Sequence, residues 1–128
     1  MRTCSALRVL VVDDDSLVRW ALRCMLVQHG CVVIEVQDCE SGRRAAADAS
    51  NVFDVILLDD RLPDGYGLEL LTTLKQLAPQ SRVLLMSSHL STDDLAQAVA
   101  RGAWAFVPKP FDLEDVWTLV REYRHPAD

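Results

Sequence analysis

The sequence VILLDDRLPDGYG occupies residues 55–67 and contains the clearest strand signal in the chain. Its four apolar residues, Val55 to Leu58, end abruptly at Asp59, and a Pro-Asp-Gly turn follows before a helical pattern starts at Gly67. A short apolar run bounded by turn residues is typical of a strand buried on both faces, as in a parallel sheet covered by helices. Asp59 is then predicted to lie at the carboxyl end of this strand, the edge at which open α/β sheets bind ligands.

The composition indicates a single globular domain. The chain has 128 residues, of which 50% are hydrophobic and 25% charged, and this is enough for one core but too little for two. Neither a signal peptide nor a membrane span is recognisable, because the apolar run Val9 to Val12 follows Arg8 and ends at Asp13, so we expect a cytoplasmic protein. The formal charge of -6 argues against direct nucleic-acid binding by this domain, since such binding depends on clustered Lys and Arg.

The cysteines and lysines carry further information. The four cysteines form no CxxC pair and no group with histidine, so we expect them to be reduced and mostly packed in the interior: Cys4, Cys24, Cys31 and Cys39. Only two lysines are present, Lys75 and Lys109. Lys109 lies between two prolines directly after an apolar strand, which is an unusual place for a merely solvated lysine.

Strand and helix patterns alternate along the whole chain. Four more strands are predicted, at Arg8 to Val12, Val32 to Val36, Val83 to Met86 and Ala103 to Val107. Helices are predicted from Ser16, at Ser41 to Ala49, from Gly67, from Thr92, and at about Leu113 to Tyr123. Such alternation predicts a doubly wound α/β domain with a five-stranded parallel sheet and right-handed crossovers. Glu35 interrupts the second strand, which favours a position at the edge of the sheet.

Two helices carry specific predictions. Ser16 is predicted to cap the first helix, and Gly30 to end it. In the fourth helix, the residues predicted to face the core are Leu95, Ala96, Val99 and Ala100.

Five polar side chains follow the predicted strands and are expected to converge at one edge of the sheet: Asp13, Asp14, Asp59, Ser87 and Lys109. Two carboxylates about 4 Å apart repel by roughly 4 kcal/mol at an effective dielectric near 20, so the cluster needs more positive charge than Lys109 supplies. An all-oxygen site suits Mg²⁺. With the charge offset, Asp59 can act as a nucleophile toward phosphorus, and the Lys109 ammonium and Ser87 hydroxyl can bind phosphoryl oxygens.

Each of these signals has a simpler structural explanation when it is taken alone. Asp13 to Asp15 could be a helix cap with extra acid favoured by the helix dipole. A serine after a strand is commonly a turn residue, and a single lysine is commonly solvated. Their occurrence together at strand carboxyl ends, in this order, favours the chemical interpretation.

Four segments closely resemble the receiver domains of bacterial two-component response regulators: VLVVDDD at Val9 to Asp15, DVILLDDRLPDGYG at Asp54 to Gly67, VLLMSS at Val83 to Ser88 and FVPKPF at Phe106 to Phe111. The resemblance extends from about Arg8 to Tyr123, so residues 1–128 are interpreted as one receiver domain. The SLVRWAL and PKPFDLEDV segments are most similar to receivers of enhancer-binding transcriptional activators of the nitrogen-regulation type. The resemblance implies a flavodoxin-like fold with strand order 2-1-3-4-5.

The resemblance also implies a role for each residue at the predicted edge. Asp59 is expected to be the phosphoacceptor, phosphorylated by a sensor histidine kinase. Asp14 and Asp59 are expected to bind Mg²⁺ together with the backbone carbonyl of Arg61, and Asp13 to act through a metal-bound water. Lys109 corresponds to the invariant lysine of the family.

Two further residues are implied to transmit the signal. Ser87 corresponds to the family's switch hydroxyl and Phe106 to its switch aromatic. Phosphorylation is expected to turn Ser87 toward the phosphoryl group, let Phe106 move inward, and remodel the surface of the fourth helix, fifth strand and fifth helix. The domain is then a signalling module in transcriptional regulation that catalyses only its own Mg²⁺-dependent phosphorylation and dephosphorylation.

Several positions depart from the family pattern or extend it. Asp60 adds a carboxylate after Asp59, and strand alternation predicts that its side chain points away from the pocket. Ser88 stands where alanine or glycine is usual, and Phe106 lacks the hydroxyl of the more common tyrosine. Trp104 is predicted to lie on the same side of the sheet as Phe106 and to anchor a homodimer or partner contact there.

Two other functions fit parts of the sequence. A haloacid-dehalogenase-type phosphatase also uses a strand-end aspartate, but it carries a second carboxylate two residues later, where this chain has Arg61. A receiver that acts as a phosphate-independent interaction module would not need the acidic set and Lys109. The sequence favours the phosphorylated switch over both.

Overall fold

The central element is a five-stranded parallel sheet, seen in a computed structural model that describes residues 6–89 and 91–122. In chain order the strands are β1 (Arg8–Val12), β2 (Val32–Val36), β3 (Val55–Asp59), β4 (Arg61–Leu62), β5 (Gly65–Tyr66), β6 (Arg82–Ser87) and β7 (Ala103–Pro108). The helices are α1 (Ser16–Gln28), α2 (Cys39–Ala47), α3 (Gly67–Leu77), α4 (Thr92–Ala100) and α5 (Leu113–Arg121). The sheet order is β2-β1-β3-β6-β7, and β4 and β5 form a separate antiparallel pair at the predicted turn. The predicted flavodoxin-like topology is therefore confirmed.

The strand β3 lies in the middle of the sheet, between β1 and β6, and all five of its residues are buried. Alternation sends its side chains to two separate cores. On the first face, Val55 and Leu57 pack with residues of α1 and α5. On the second face, Ile56 and Leu58 pack with residues of α2, α3 and α4. β2 is an edge strand, as the interrupting Glu35 predicted.

The cap of one helix and the start of another differ from the sequence prediction. Ser16 was predicted to cap α1, but Asp15 is the N-cap, and its carboxylate accepts hydrogen bonds from the backbone N–H groups of Leu17 and Val18. A carboxylate at this position satisfies N–H groups that have no partner within the helix, so the helix begins at Ser16 itself. Helix α2 spans Cys39–Ala47 rather than Ser41 to Ala49. Its N-cap is Asp38, which accepts from the backbone N–H of Ser41, and Asp64 accepts from those of Cys39 and Glu40.

The face of α4 that packs on the core also differs from the prediction. Ala98 is the fully buried residue of this helix, whereas Ala96, Val99 and Ala100 are exposed, Val99 to 60%. The apolar periodicity was therefore misleading for three of the four predicted residues. The helix instead presents an apolar strip to solvent beside β7, the other edge strand of the sheet.

The predicted orientation of Trp104 is wrong. A register shift pairs Val83 with Ala103 and Leu84 with Ala105, so Trp104 is an extra residue in β7. A bulge of this kind reverses the alternation that follows it. Trp104 consequently packs on the first face of the sheet and Phe106 on the second. The guanidinium carbon of Arg82 lies 4.6 Å from the centroid of the Trp104 ring.

Three of the four cysteines lie within the described residues, and all three are free thiols. Cys31 is buried and Cys39 is half-buried, in agreement with a packing role, but Cys24 is exposed. Cys4 lies outside the described residues, as does Tyr123, the predicted end of the last helix. None of the helices formed by residues 6–89 and 91–122 has the length and apolar character required to cross a membrane.

Candidate functional site

The carboxyl edge of the sheet brings Lys109 between two aspartates. Asp13 directly follows β1, Asp59 is the last residue of β3, and Lys109 directly follows β7. The Lys109 ammonium donates a hydrogen bond to Asp13 Oδ2 at 2.8 Å and forms an ion pair with Asp59 Oδ1 at 3.3 Å. Three residues from distant parts of the chain thus meet at one point, because parallel strands end at the same edge.

Asp13 is held from several directions. Its side chain is fully buried, and Oδ1 accepts from the backbone N–H of Asp15 at 2.9 Å. Its own backbone N–H donates to Val36 O at 3.2 Å, and its carbonyl accepts from Arg19 Nη1 at 2.6 Å. Both carboxylate oxygens and both backbone polar groups of Asp13 therefore have partners, which fixes the side chain that faces Lys109.

Asp59 carries an altered proton affinity. Burial and the nearby Asp13 carboxylate raise the pKa of Asp59 from 3.8 to about 6, against the opposing influence of the Lys109 ammonium. Burial alone would lower the pKa of Lys109, but its hydrogen bonds and ion pairs with Asp13 and Asp59 outweigh burial, and its pKa lies above the usual value. Lys109 is thus cationic at neutral pH, yet one ammonium does not fully compensate the two aspartates.

The carboxylates can hold a divalent cation. One oxygen each from Asp13, Asp14 and Asp59 lie within 4.8 Å of one another. Asp13 and Asp59 are buried, whereas Asp14 is exposed, so the cluster has a closed side and a side open to water. Carboxylate oxygens and retained waters are the ligands that Mg²⁺ prefers. The residues present therefore fit the cation that the sequence predicted.

The side chain of Asp60 lies at the site rather than away from it, contrary to the prediction. Ser87 Oγ donates a hydrogen bond to Asp60 Oδ2 at 2.6 Å. Strand alternation does not apply here, because β3 ends at Asp59 and the chain turns toward β4. Ser87, at the end of β6, is buried, whereas the following residue, Ser88, is exposed.

The other predicted residues lie around this centre. Arg61 follows Asp59 by two residues, at the start of β4, and is exposed. Phe106 is half-buried in β7, where it pairs with Leu85 of β6 and packs on the second face of the sheet. Trp104 lies on the opposite face from Phe106, as described above.

Sequence reasoning treated Gly67 only as the start of a helix. A Cβ atom on Gly67 would lie 2.3 Å from the backbone oxygen of Asp59 and 2.8 Å from the Cα of Asp60, both far inside van der Waals contact. The Gly67 backbone N–H also donates to Asp60 O at 2.8 Å. Only glycine lets the start of α3 approach the end of β3 this closely. The available signal was the glycine itself, immediately after a turn that follows Asp59.

A flavodoxin-like sheet whose carboxyl edge joins three aspartates, a lysine and a serine defines a signalling domain of the receiver class. Residues 9–121 match the family model described as "Response regulator receiver domain", and the chain belongs to that family. This membership favours the receiver interpretation over a haloacid-dehalogenase-type phosphatase.

Similar proteins support this assignment. The chain is 40% identical over 113 residues to the DNA-binding transcriptional regulator NtrC of Salmonella typhimurium. The aligned segment covers 88% of this chain but 24% of that protein. The chain thus spans about a quarter of the length of such relatives. A CheY-like receiver domain from Methanospirillum hungatei JF-1 superimposes with a TM-score of 0.88 at 26% identity, over 92% of this chain and 93% of that one. The beryllofluoride-activated NtrC4 receiver domain dimer has a TM-score of 0.81 at 30% identity, over 89% and 93%.

Proposed function

We propose that this receiver domain is a cytoplasmic, phosphorylation-activated switch that accepts a phosphoryl group on Asp59 from a sensor histidine kinase and controls transcription. The observation that carries the proposal is the Asp59 carboxylate at the carboxyl edge, 3.3 Å from the Lys109 ammonium and clustered with Asp13 and Asp14. The similarity to NtrC, a DNA-binding transcriptional regulator, supports a transcriptional output.

The residues divide the proposed chemistry among them. An Asp59 oxygen attacks phosphorus, the phosphorus–nitrogen bond of the phosphohistidine breaks, and the released imidazole nitrogen takes up a proton. Lys109 and Ser87 bind phosphoryl oxygens as charge develops. Asp14, Asp59 and the backbone carbonyl of Arg61 would hold Mg²⁺, with Asp13 acting through water, and the ion would neutralise the negative charge gathered at the site.

The same groups explain why the signal is temporary. Attack by water on the phosphorus of phospho-Asp59 regenerates the carboxylate and releases inorganic phosphate. The domain would therefore catalyse only its own phosphorylation and dephosphorylation. Lys109, which donates a hydrogen bond to Asp13 at 2.8 Å, would bind the phosphoryl group during both phosphorylation and dephosphorylation.

An apolar surface beside the site suits docking of the kinase. Leu17 is 70% exposed and Trp20 62% exposed on α1, although both are large apolar residues. Leu17 also lines a depression of about 280 Å³ whose other wall includes Lys109 and Phe111. A kinase domain that covers this surface would bring its phosphohistidine next to Asp59 and exclude water from the transfer.

The direct test is labelling by a small phosphodonor. Acetyl phosphate with Mg²⁺ is expected to add one phosphoryl group to the domain, mapped by mass spectrometry to Asp59, and chelation by EDTA should abolish the labelling. Asp59→Asn should lose the label, whereas Asp60→Asn, the matched neighbouring change, should keep it. Labelling without a metal ion, or at Asp60, would contradict the proposed site. A folded domain that is never labelled would instead support a phosphate-independent interaction module.

We further propose that the output surface of α4, β7 and α5 mediates self-association after phosphorylation. The strip formed by Ala96, Val99 and Ala100 of α4 is exposed and apolar, and it lies beside the edge strand β7. Trp104 and Arg82 add an aromatic and a cationic group near the same edge. The solved dimer of the activated NtrC4 receiver supports a second copy as the occupant.

Sedimentation of the domain with and without beryllofluoride tests this surface. With Mg²⁺, beryllofluoride is expected to shift the domain toward a dimer, and Val99→Asp should weaken that dimer at least about tenfold by placing a charge in the contact. Trp104→Ala should weaken it less, because part of the ring packs within the domain. Val27→Asp on α1, where Val27 is 50% exposed, is the matched control and should dimerise normally. An activated domain that stays monomeric at high micromolar concentration would contradict the proposal.

A further inference from the structure

The hydroxyl of Ser87 donates one hydrogen bond and accepts another. Ser87 Oγ donates to Asp60 Oδ2 at 2.6 Å and accepts from the backbone N–H of His89 at 3.1 Å. Ser87 is only 6% exposed, so water competes poorly for the same proton. A length of 2.6 Å is typical of a hydrogen bond from a hydroxyl to an ionised carboxylate, and such bonds are stronger than those between two neutral groups. In this conformation the one proton of the Ser87 hydroxyl is therefore used in the hydrogen bond to Asp60.

Backbone hydrogen bonds keep Asp60 in position to accept the hydrogen bond from Ser87. The Asp60 N–H donates to Met86 O, next to Ser87, at 3.0 Å, and its carbonyl accepts from Gly67 N–H at 2.8 Å. The main chain of Asp60 is thus tied to β6 on one side and to the start of α3 on the other. The contact with Ser87 consequently arises from the paired ends of two central strands rather than from a mobile loop.

A serine hydroxyl has one proton and can donate only one strong hydrogen bond at a time. A phosphoryl group on Asp59 would need that proton for one of its oxygens, so it would compete directly with the Asp60 carboxylate. It would also place additional negative charge beside Asp60, only one residue along the chain. Both effects oppose the phosphorylated state. Only the competition for the hydroxyl ends when the Asp60–Ser87 hydrogen bond breaks, whereas the charge repulsion persists as long as Asp60 is ionised.

We propose that Asp60 is a positioning residue that retains the Ser87 hydroxyl in the resting domain and must release it before Ser87 can bind the phosphoryl group. This inference rests on the proposed phosphorylation of Asp59 and adds a residue that sets how readily the switch closes. Asp60 acts through Ser87 and need not touch the phosphoryl group itself. Its effect is to hold the equilibrium toward the resting conformation until the phosphoryl group is in place.

Beryllofluoride with Mg²⁺, titrated into the domain and followed by ¹⁹F NMR, measures this competition. Asp60→Ala is expected to bind the mimic about tenfold more tightly than the unchanged domain, since no charged hydrogen bond has to break. Asp60→Asn keeps an acceptor without the charge and should give a smaller gain. Glu69→Gln is the matched control: Glu69 lines the same surface depression as Asp60, but it is Asp60 that accepts the Ser87 hydrogen bond, so a change below about twofold is expected.

A double-mutant cycle with Ser87→Ala separates retention of the hydroxyl from simple charge repulsion. If Asp60 acts through Ser87, the gain from Asp60→Ala should be at least about threefold larger in the unchanged background than in the Ser87→Ala background. The bound fluoride resonances should also differ between the unchanged domain and Ser87→Ala, because one fluorine loses a hydroxyl donor. Equal gains in the two backgrounds would overturn the inference in favour of charge alone, and no gain from either Asp60 variant would overturn it outright. Failure of the unchanged domain to bind the mimic would instead refute phosphorylation at Asp59.

Discussion

Asp59→Asn is expected to stabilise the metal-free domain at pH 7.5 while removing its phosphoacceptor. The pKa of Asp59 is raised from 3.8 to about 6, mainly by burial and by the Asp13 carboxylate. Each unit of pKa shift corresponds to about 1.4 kcal/mol, so the ionised Asp59 lowers the free energy of unfolding by up to about 3 kcal/mol. Asparagine has the same shape without the charge, and Lys109 keeps its hydrogen bond to Asp13 at 2.8 Å. The free energy of unfolding should therefore rise.

The pH dependence of this difference gives a sharper test. Because the folded-state pKa lies above the unfolded value, the cost is absent below about pH 3.8, grows as the pH rises toward 6, and is complete above that. Denaturant unfolding in EDTA should show a clear advantage for Asp59→Asn at pH 7.5 that disappears near pH 4. Glu69→Gln, at an exposed carboxylate outside the acidic cluster, should change stability by less than about 0.5 kcal/mol at either pH. If Asp59→Asn is less stable than the unchanged domain at pH 7.5, the ionised Asp59 carboxylate does not destabilise the fold as proposed.

The position of Asp59 at the end of a buried strand is the reason the site could be predicted from the sequence. Four apolar residues before Asp59 indicate a strand buried on both faces, and a carboxylate at the end of such a strand has no structural need to be there. The same reasoning applied to Asp13 and Lys109, which follow β1 and β7. Parallel topology then brings the three together without any further information. The fold and the centre of the site were predictable because both follow from burial and strand direction.

The errors arose where local backbone geometry overrides periodicity. Strand alternation placed Asp60 away from the pocket, but β3 ends at Asp59 and the turn carries the Asp60 side chain to Ser87. Alternation also placed Trp104 beside Phe106, but a bulge in β7 inserts one residue and sends the two rings to opposite faces. In α4, helical periodicity indicated a broad apolar face, whereas the helix buries only Ala98 fully and leaves Val99 exposed. Neither a bulge nor the width of a buried face is encoded in the spacing of apolar residues.

Magnesium is expected to stabilise the domain strongly, and the response should depend on Asp14. A cation that binds only the folded acidic cluster stabilises it by mass action, by about 2.7 kcal/mol at a hundredfold excess over Kd. One carboxylate oxygen each from Asp13, Asp14 and Asp59 lie within 4.8 Å of one another, and Asp14 is the exposed member, open to an incoming hydrated ion. Asp14→Ala should therefore remove most of the magnesium-dependent rise in unfolding free energy. In EDTA the same variant is expected to be slightly more stable than the unchanged domain, because one of three mutually repelling carboxylates is gone.

The adjacent aspartate provides the matched control for this prediction. Asp15 caps α1 through the backbone N–H groups of Leu17 and Val18, and it is not a member of the carboxylate cluster. Asp15→Ala should lower stability by about 1 kcal/mol both with and without magnesium, since the loss of a helix cap does not depend on the metal. The two neighbouring substitutions thus have opposite signatures in denaturant unfolding with and without MgCl₂. A full magnesium response in Asp14→Ala, or its loss in Asp15→Ala, would show that the cation binds somewhere other than the cluster of Asp13, Asp14 and Asp59.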